Sequence, residues 1–204
     1  MPLLVTAIAV AAASYLIGAV PASFIMGKLV RGIDLREHGS GNLGAANTFR
    51  VLGPKAALPV LLFDIGKGFV AVWFLPGIGD GHIWLAMLAA VTVVLGHNYC
   101  IFLRFSGGKG VGTTAGAFVA LGPLALTICM GIRIFMLLIT RIVALASMVA
   151  SLMLPVSITL TNVLFDSGTH HLVLALSCLV ALLVIYKHRP NIRRLMEGTE
   201  KRIF

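Results

Sequence analysis

The thirty residues from Gly110 to Ile139, interrupted midway by Ala120-Leu121-Gly122-Pro123-Leu124, decide how the rest of the chain is read. An α-helix rises 1.5 Å per residue and the hydrocarbon core of a bilayer is about 30 Å thick, so this block is long for one upright span and short for two. Gly122-Pro123 is a natural division, because proline cannot continue a helix from the residues before it. Outward from this block the chain reads as apolar runs separated by glycine, proline and charge. Helices are predicted over residues 3–29, 54–75, 82–103, 142–164 and 171–186, with Pro54 opening the second and Pro76-Gly77-Ile78-Gly79 closing it. A basic tail, 187–204, follows.

Charge settles the number of crossings. If the central block is two short or tilted spans, the basic residues outside the helices all fall on one side. They are Arg31, Arg36, Arg50 and Lys55 in the first loop, Arg104 and Lys109 in the third, Arg141 in the fifth, and Lys187, Arg189, Arg193, Arg194, Lys201 and Arg202 in the tail. The opposite loops, Pro76 to Gly81 and Phe165 to His170, hold neither lysine nor arginine. A single central span would put the tail on the other face, against the positive-inside rule. The expectation is therefore an all-α polytopic integral membrane helical bundle of seven transmembrane helices, with helices four and five short or tilted. Its N-terminus lies outside and its C-terminus in the cytoplasm.

Composition agrees with a bilayer as solvent: 59% of the 204 residues are hydrophobic and 11% charged, with a mean hydropathy of +1.01. A soluble domain carries about 25% charged residues. One transmembrane domain spanning 1–204 is expected, with motif loops at 31–53 and 104–110. The first apolar run lacks a basic segment before it and is longer than a signal-peptide core, so it is read as a retained helix. The net charge of +9 is accounted for by orientation and by anionic membrane lipids, and calls for no nucleic acid. Cys100, Cys129 and Cys178 match no metal-ligand spacing and read as buried or lipid-facing small residues.

The chemistry signals gather on the cytoplasmic side. The first loop reads His38-Gly39-Ser40-Gly41-Asn42-Leu43-Gly44-Ala45-Ala46-Asn47-Thr48-Phe49-Arg50. Glycines at this density let backbone N–H groups converge on an anion, while the serine, asparagine and arginine side chains supply further donors. The GxGxxG from Gly39 to Gly44 is not a dinucleotide fingerprint, since no strand precedes it. The third loop, Ser106-Gly107-Gly108-Lys109-Gly110-Val111, is no Walker A loop, because Gly110 follows the lysine and Leu103 stands where that motif needs glycine. It shares the physics nonetheless: Lys109 sits among glycines and opens into a helix whose N-terminus favours phosphate.

Other polar residues interrupt apolar segments. Asp64 and Lys67 lie three apart on one face of the second helix, as an ion pair, a substrate site or both. His97 ends the third helix beside the Gly-Gly-Lys loop. Arg133 has no acidic residue within four positions, so it either snorkels to an interface or meets a carboxylate of another helix. The tail is a basic juxtamembrane segment that reads as an orientation signal or, because it combines His188, Asn191, Arg194 and Glu200, as a segment that closes over a phosphorylated substrate.

These residues give the chain a specific resemblance to the bacterial acyl-phosphate-dependent glycerol-3-phosphate acyltransferases. It rests on Gly39 to Asn42 through Asn47 and Arg50, on Gly107 to Gly110, and on His188 to Asn191, Arg193 and Gly198 to Glu200, with Asp64, Lys67, Gly68, Gly96 and His97 also matching. The resemblance covers essentially the whole chain. It implies an enzyme of the bacterial cell membrane, acting as a monomer, that makes lysophosphatidic acid from glycerol 3-phosphate and a long-chain acyl phosphate. No cofactor, metal or acyl-enzyme is implied. On that match Lys109, Ser40, Asn42, His188 and Asn191 are the catalytic candidates. Gly41, Asn47, Arg50, Asp64, Lys67, His97, Gly107, Gly108, Gly110, Arg194 and Glu200 are the substrate-binding ones.

An acyl phosphate is an activated mixed anhydride, so positioning two anions and stabilising developing charge suffices without a serine elbow or a Cys-His pair. Three positions depart from the family pattern: Ala144 where serine is frequent, leaving Ser147 as the nearest hydroxyl, Cys100 where proline is common, and Gly112 where alanine is common. The alternative class is a transporter or channel for an organic phosphate. It calls for midplane binding, often at internal repeats, and no inverted repeat is visible.

Overall fold

Among the residues described by the computed structural model, 2–79 and 81–203, the chain is built of helices, turns and loops alone. The α-helices are α1 (Leu3–Ala19), α2 (Ala22–Arg31), α3 (Ala45–Leu52), α4 (Pro54–Phe74), α5 (Ile83–Asn98), α6 (Val111–Leu121), α7 (Pro123–Thr140), α8 (Val143–Phe165), α9 (His171–Lys187) and α10 (Arg189–Met196). Among the described residues five helical segments are long and apolar enough to cross a membrane, and a sixth is reached if α9 and α10, bent by 58°, count as one span. The chain is thus an all-α, multi-pass membrane bundle. Its large exposed side chains include Leu29, Trp73, Leu138, Val163 and Leu182, as expected where lipid rather than water is the neighbour.

The central block divides where Gly122-Pro123 predicts: α6 ends at Leu121 and Pro123 opens α7. With 11 residues, α6 reaches only about half the thickness of a bilayer core. Three other expectations change. The first predicted helix is two, because Val20 is extended (φ −60°, ψ 115°) before Pro21, which disfavours helical geometry in the residue ahead of it. The first loop contains α3, entered from the extended Gly44 and left through Gly53 at φ 85°. The tail contains α10, with Pro190 tolerated in its first turn.

The chain forms two compact units, residues 1–120 and 121–204. In the first, helices approach backbone to backbone through small residues. A Cβ added at Gly96 would collide with the carbonyl oxygen of Tyr15, and one at Gly116 with that of Ile65. α1 is thereby pressed on α5 and α6 on α4, the close contact that glycine permits between helices in lipid. In the second unit α7 packs on α8 and α8 on α9. The chain after α10 is tied back by Ile203 N–H donating to the Arg141 carbonyl at 2.8 Å. All three cysteines are free, Cys100 and Cys129 buried and Cys178 exposed.

Candidate active site

The glycine-rich first loop is organised around Asn47, which α3 presents at 1% exposure. Its Oδ1 accepts from Ser40 N–H at 2.7 Å and from Ser40 Oγ at 3.1 Å. Its Nδ2 donates to the Leu35 and His38 carbonyls at 3.1 and 3.0 Å. Both donors and both acceptor positions of the amide are therefore used within the loop. Leu35 and Leu43 anchor the same loop in an apolar cluster with Ala19, Cys100 and Leu103. At its start Arg36 clasps Asp34 through two guanidinium nitrogens. The side-chain hydrogen bonds from Arg36 hold the Asp34 carboxyl below its ordinary value, against the opposing effect of desolvation.

Four backbone donors of the two loops are used internally. Ser40 N–H goes to Asn47, Gly41 N–H to the His38 carbonyl and Gly44 N–H to the Asn42 carbonyl. In the third loop Gly108 N–H donates to the His97 carbonyl at 3.0 Å. These four bonds shape the loops. Gly110, at φ 79°, occupies a conformation that side chains avoid, and its carbonyl accepts from Thr114 N–H in the first turn of α6. Gly107 packs on the backbone of His97 and Asn98. Lys109 follows at intermediate exposure, as do Asn42 in its loop and Arg50 on α3. Thr113 and Thr114, which the sequence reading does not single out, have buried hydroxyls with no hydrogen-bond partner among the described residues.

Between the loops lies a small, narrow cleft lined in part by Val20, Ser23, Leu43, Asp64, Lys67, His97 and Gly108. A buried triad forms part of its wall. Lys67 Nζ is 2.8 Å from Asp64 Oδ1, 2.9 Å from His97 Nδ1 and 3.2 Å from the Val20 carbonyl. His97 Nδ1 is also 3.4 Å from Asp64 Oδ1. The two contacts of Nδ1 ask for opposite proton positions. The shorter governs: an ammonium can only donate, so Nδ1 presents its lone pair and the imidazole proton is on Nε2. That nitrogen faces the glycine loop, since a Cβ at Gly108 would collide with it and with the Leu43 carbonyl.

Within residues 121–204 the tail residues form their own cluster. Glu200, with its side chain 3% exposed, accepts from Arg194 Nε at 2.6 Å and from Asn191 Nδ2 at 2.7 Å. The chain turns back at Gly198 so that the Thr199 and Glu200 N–H groups reach the Arg194 carbonyl. His188 is buried with Nδ1 2.8 Å from the Val184 carbonyl. A carbonyl only accepts, so Nδ1 carries a proton and donates it. Ala144 and Ser147 are both buried on α8. Arg133 lies within α7, its buried Nε without a hydrogen-bond partner among the described residues.

The structure thus joins Ser40 with Asn47, brings Leu43 and Gly108 together, gathers Asp64, Lys67 and His97, and gathers Asn191, Arg194 and Glu200. Sequence reasoning missed the Val20 carbonyl. Its signal is Pro21 inside an apolar run, because the residue before a proline is driven out of helical geometry and its carbonyl leaves the ladder.

The model of a family described as glycerol-3-phosphate acyltransferase matches residues 8–198. Two curated glycerol-3-phosphate acyltransferases, from Chlorobaculum tepidum and Chlorobium phaeobacteroides, are each 38% identical, over 98% of this chain and 97% of the relative. The crystal structure of PlsY (YgiH), an integral membrane glycerol 3-phosphate acyltransferase, in its glycerol 3-phosphate form superposes with a TM-score of 0.86. It is 34% identical, over 96% of this chain and 94% of that one. The lysophosphatidic acid form gives 0.84 at 33% identity, with the same coverage.

Proposed function

This chain belongs to the glycerol-3-phosphate acyltransferase family, and we propose that side chains of its two glycine-shaped loops hold the phosphates of the reaction. The reaction transfers a fatty acyl group from an acyl phosphate to the 1-hydroxyl of glycerol 3-phosphate, giving lysophosphatidic acid and inorganic phosphate, at the bacterial inner membrane. The hydroxyl oxygen bonds to the acyl carbon, the bond from that carbon to the phosphate oxygen breaks, and the departing phosphate keeps the electron pair. The hydroxyl proton passes to a phosphate oxygen. Lys109 neutralises the donor phosphate, while Ser40, Asn42 and Arg50 bind phosphate or orient the attacking hydroxyl. This is catalysis by positioning and by charge aimed where charge develops. His188, Asn191, Arg194 and Glu200 take their part in the proposal from the motif resemblance, supported by the way Glu200 fixes two of them.

One observation supports the loop assignment above the others: the Leu43 carbonyl lies so near Gly108 that no side chain fits between them. The Ser-Gly-Asn loop and the Gly-Gly-Lys loop, far apart in sequence, are therefore neighbours. The test is to supply purified protein with glycerol 3-phosphate and a long-chain acyl phosphate. Lysophosphatidic acid and phosphate should form together without added metal, and acyl-CoA should be a poor donor. Robust turnover with acyl-CoA alone would reject the donor, and no turnover with any donor would favour transport.

The proposal includes seven crossings with the N-terminus outside, in which α6 is the short fourth span. The one-sided placement of lysine and arginine supports it. A cysteine at Gly168 should react with an impermeant thiol reagent from outside, and cysteines at Gly41 and Gly198 only from the cytoplasm. Outside labelling at Gly198 in active protein would overturn the orientation.

A further inference from the structure

The motif match places Lys67 among the substrate-binding candidates, yet its ammonium has three protons and three acceptors inside the protein: Asp64 Oδ1, His97 Nδ1 and the Val20 carbonyl. None is left for a ligand without breaking one of these bonds. The side chain is 3% exposed, so water does not substitute for any of them. We propose that Lys67 is a positioning residue, which locks α4, α5 and the α1–α2 break into one frame and through His97 sets the place of the loop that carries Lys109.

Each link of that frame is local and physical. Val20 is extended ahead of Pro21, so its carbonyl stands outside the helical ladders and accepts from Lys67 as well as from Ala22 N–H. Asp64 balances the ammonium, which a buried cation requires. The ammonium in turn fixes the lone pair of His97 on Nδ1 and turns Nε2 toward Gly108. The backbone of the same histidine accepts Gly108 N–H, so ring and carbonyl together define where the residue before Lys109 lies. Any side chain at position 108 would strike the His97 ring. The triad therefore touches the loop backbone, and its effect on chemistry passes through Lys109.

This inference rests on the reading that Lys109 acts on a substrate phosphate, and a double-mutant cycle separates the two. Removing Lys67 alone would strand the Asp64 charge, so the variant read is Asp64→Asn/Lys67→Met, checked first as monodisperse protein. With Lys109 present, kcat should fall roughly 10-fold or more while KM for glycerol 3-phosphate changes by less than about 3-fold. With Lys109→Ala the same pair should cost no more than about 2-fold further, the non-additivity expected of residues acting through one another. If the pair does not stay folded, His97→Gln, which keeps the ion pair and removes the ring from Gly108, is read in the same cycle with the same expectation. Equal losses in both backgrounds, no loss in either, or a loss confined to KM for glycerol 3-phosphate would overturn the positioning role. Near-native kinetics for Lys109→Ala alone would instead overturn the reading of Lys109, and this inference with it.

Discussion

Residues 1–120 and 121–204 are both apolar helical units, and both hold a cluster of polar and charged side chains, but they assemble those clusters differently. In the first unit Lys67 meets His97 across 30 positions of sequence and the Val20 carbonyl across 47. In the second, Glu200 reaches Asn191 and Arg194 across nine and six. The long-range cluster depends on helices that touch through glycine, as Gly96 does on Tyr15 and Gly116 on Ile65. The short-range cluster needs only the turn at Gly198 that folds the chain after α10 back on that helix. Residues 121–204 accordingly hold only Gly122, Gly131, Gly168 and Gly198 of the 22 glycines. Close backbone contact, not apolar content, separates the unit that carries the glycine loops from the other.

If that distinction holds, filling a glycine contact should ruin the first unit and leave the second untouched. Gly116→Leu places a branched side chain where even a Cβ would run into a backbone oxygen, and backbone cannot yield as a flexible side chain does. Overpacking typically costs about 1–3 kcal/mol and more where nothing can move, so this variant should fail to give monodisperse protein on size exclusion. Gly131→Ala, in a helix with nothing within 4 Å, should melt at the same temperature or slightly above.

A smaller effect is expected in the tail. Glu200→Ala removes the carboxylate that holds Asn191 and Arg194, and a hydrogen bond to a charged group is worth about 1.5–3 kcal/mol. On that scale kcat/KM should fall by roughly 10-fold or more. Glu197→Ala breaks an ion pair whose side chains are 82% and 48% exposed and should stay within about 2-fold, since exposed pairs contribute little. Equal losses for the two would show that the buried carboxylate has no special part.

The least effect belongs to the start of the first loop. The Asp34 carboxyl is held below its ordinary 3.8 by Arg36, so the folded state favours the ionised form. The stabilisation is fully present above that ordinary value and is lost as pH falls through the lower folded one. Thermal midpoints followed downward in pH should show a shallow fall that Arg36→Ala removes.

The two clusters also mark what is legible in the sequence. The Gly122-Pro123 division, the opening of α4 at Pro54 and the long apolar helices follow from rise per residue and from proline chemistry, which are local. The combination of His188, Asn191, Arg194 and Glu200 is visible because it is nearly contiguous. The break at Val20 is hidden because apolar periodicity continues through Pro21, and α3 because a glycine-dense segment reads as loop. Asn47 reads as a ligand donor, and only the fold shows its amide saturated by Ser40, Leu35 and His38. That Lys67 faces His97 and the α1–α2 break depends on how α1, α4 and α5 are arranged, which no spacing within one helix encodes.

On this reading the Gly-Gly-Lys loop holds the charge of Lys109 against a phosphate, and steady-state kinetics of Lys109→Ala and Lys109→Arg put that to the test. Both variants should remain folded and monodisperse. Lys109→Ala should lower the rate by roughly 100-fold or more, the scale seen when one preorganised donor is lost from a developing charge. Lys109→Arg should recover only part of it, because a planar fork does not fit where a compact ammonium does. Near-native kcat and KM for Lys109→Ala with both substrates would show that the loop's charge has no part in the reaction.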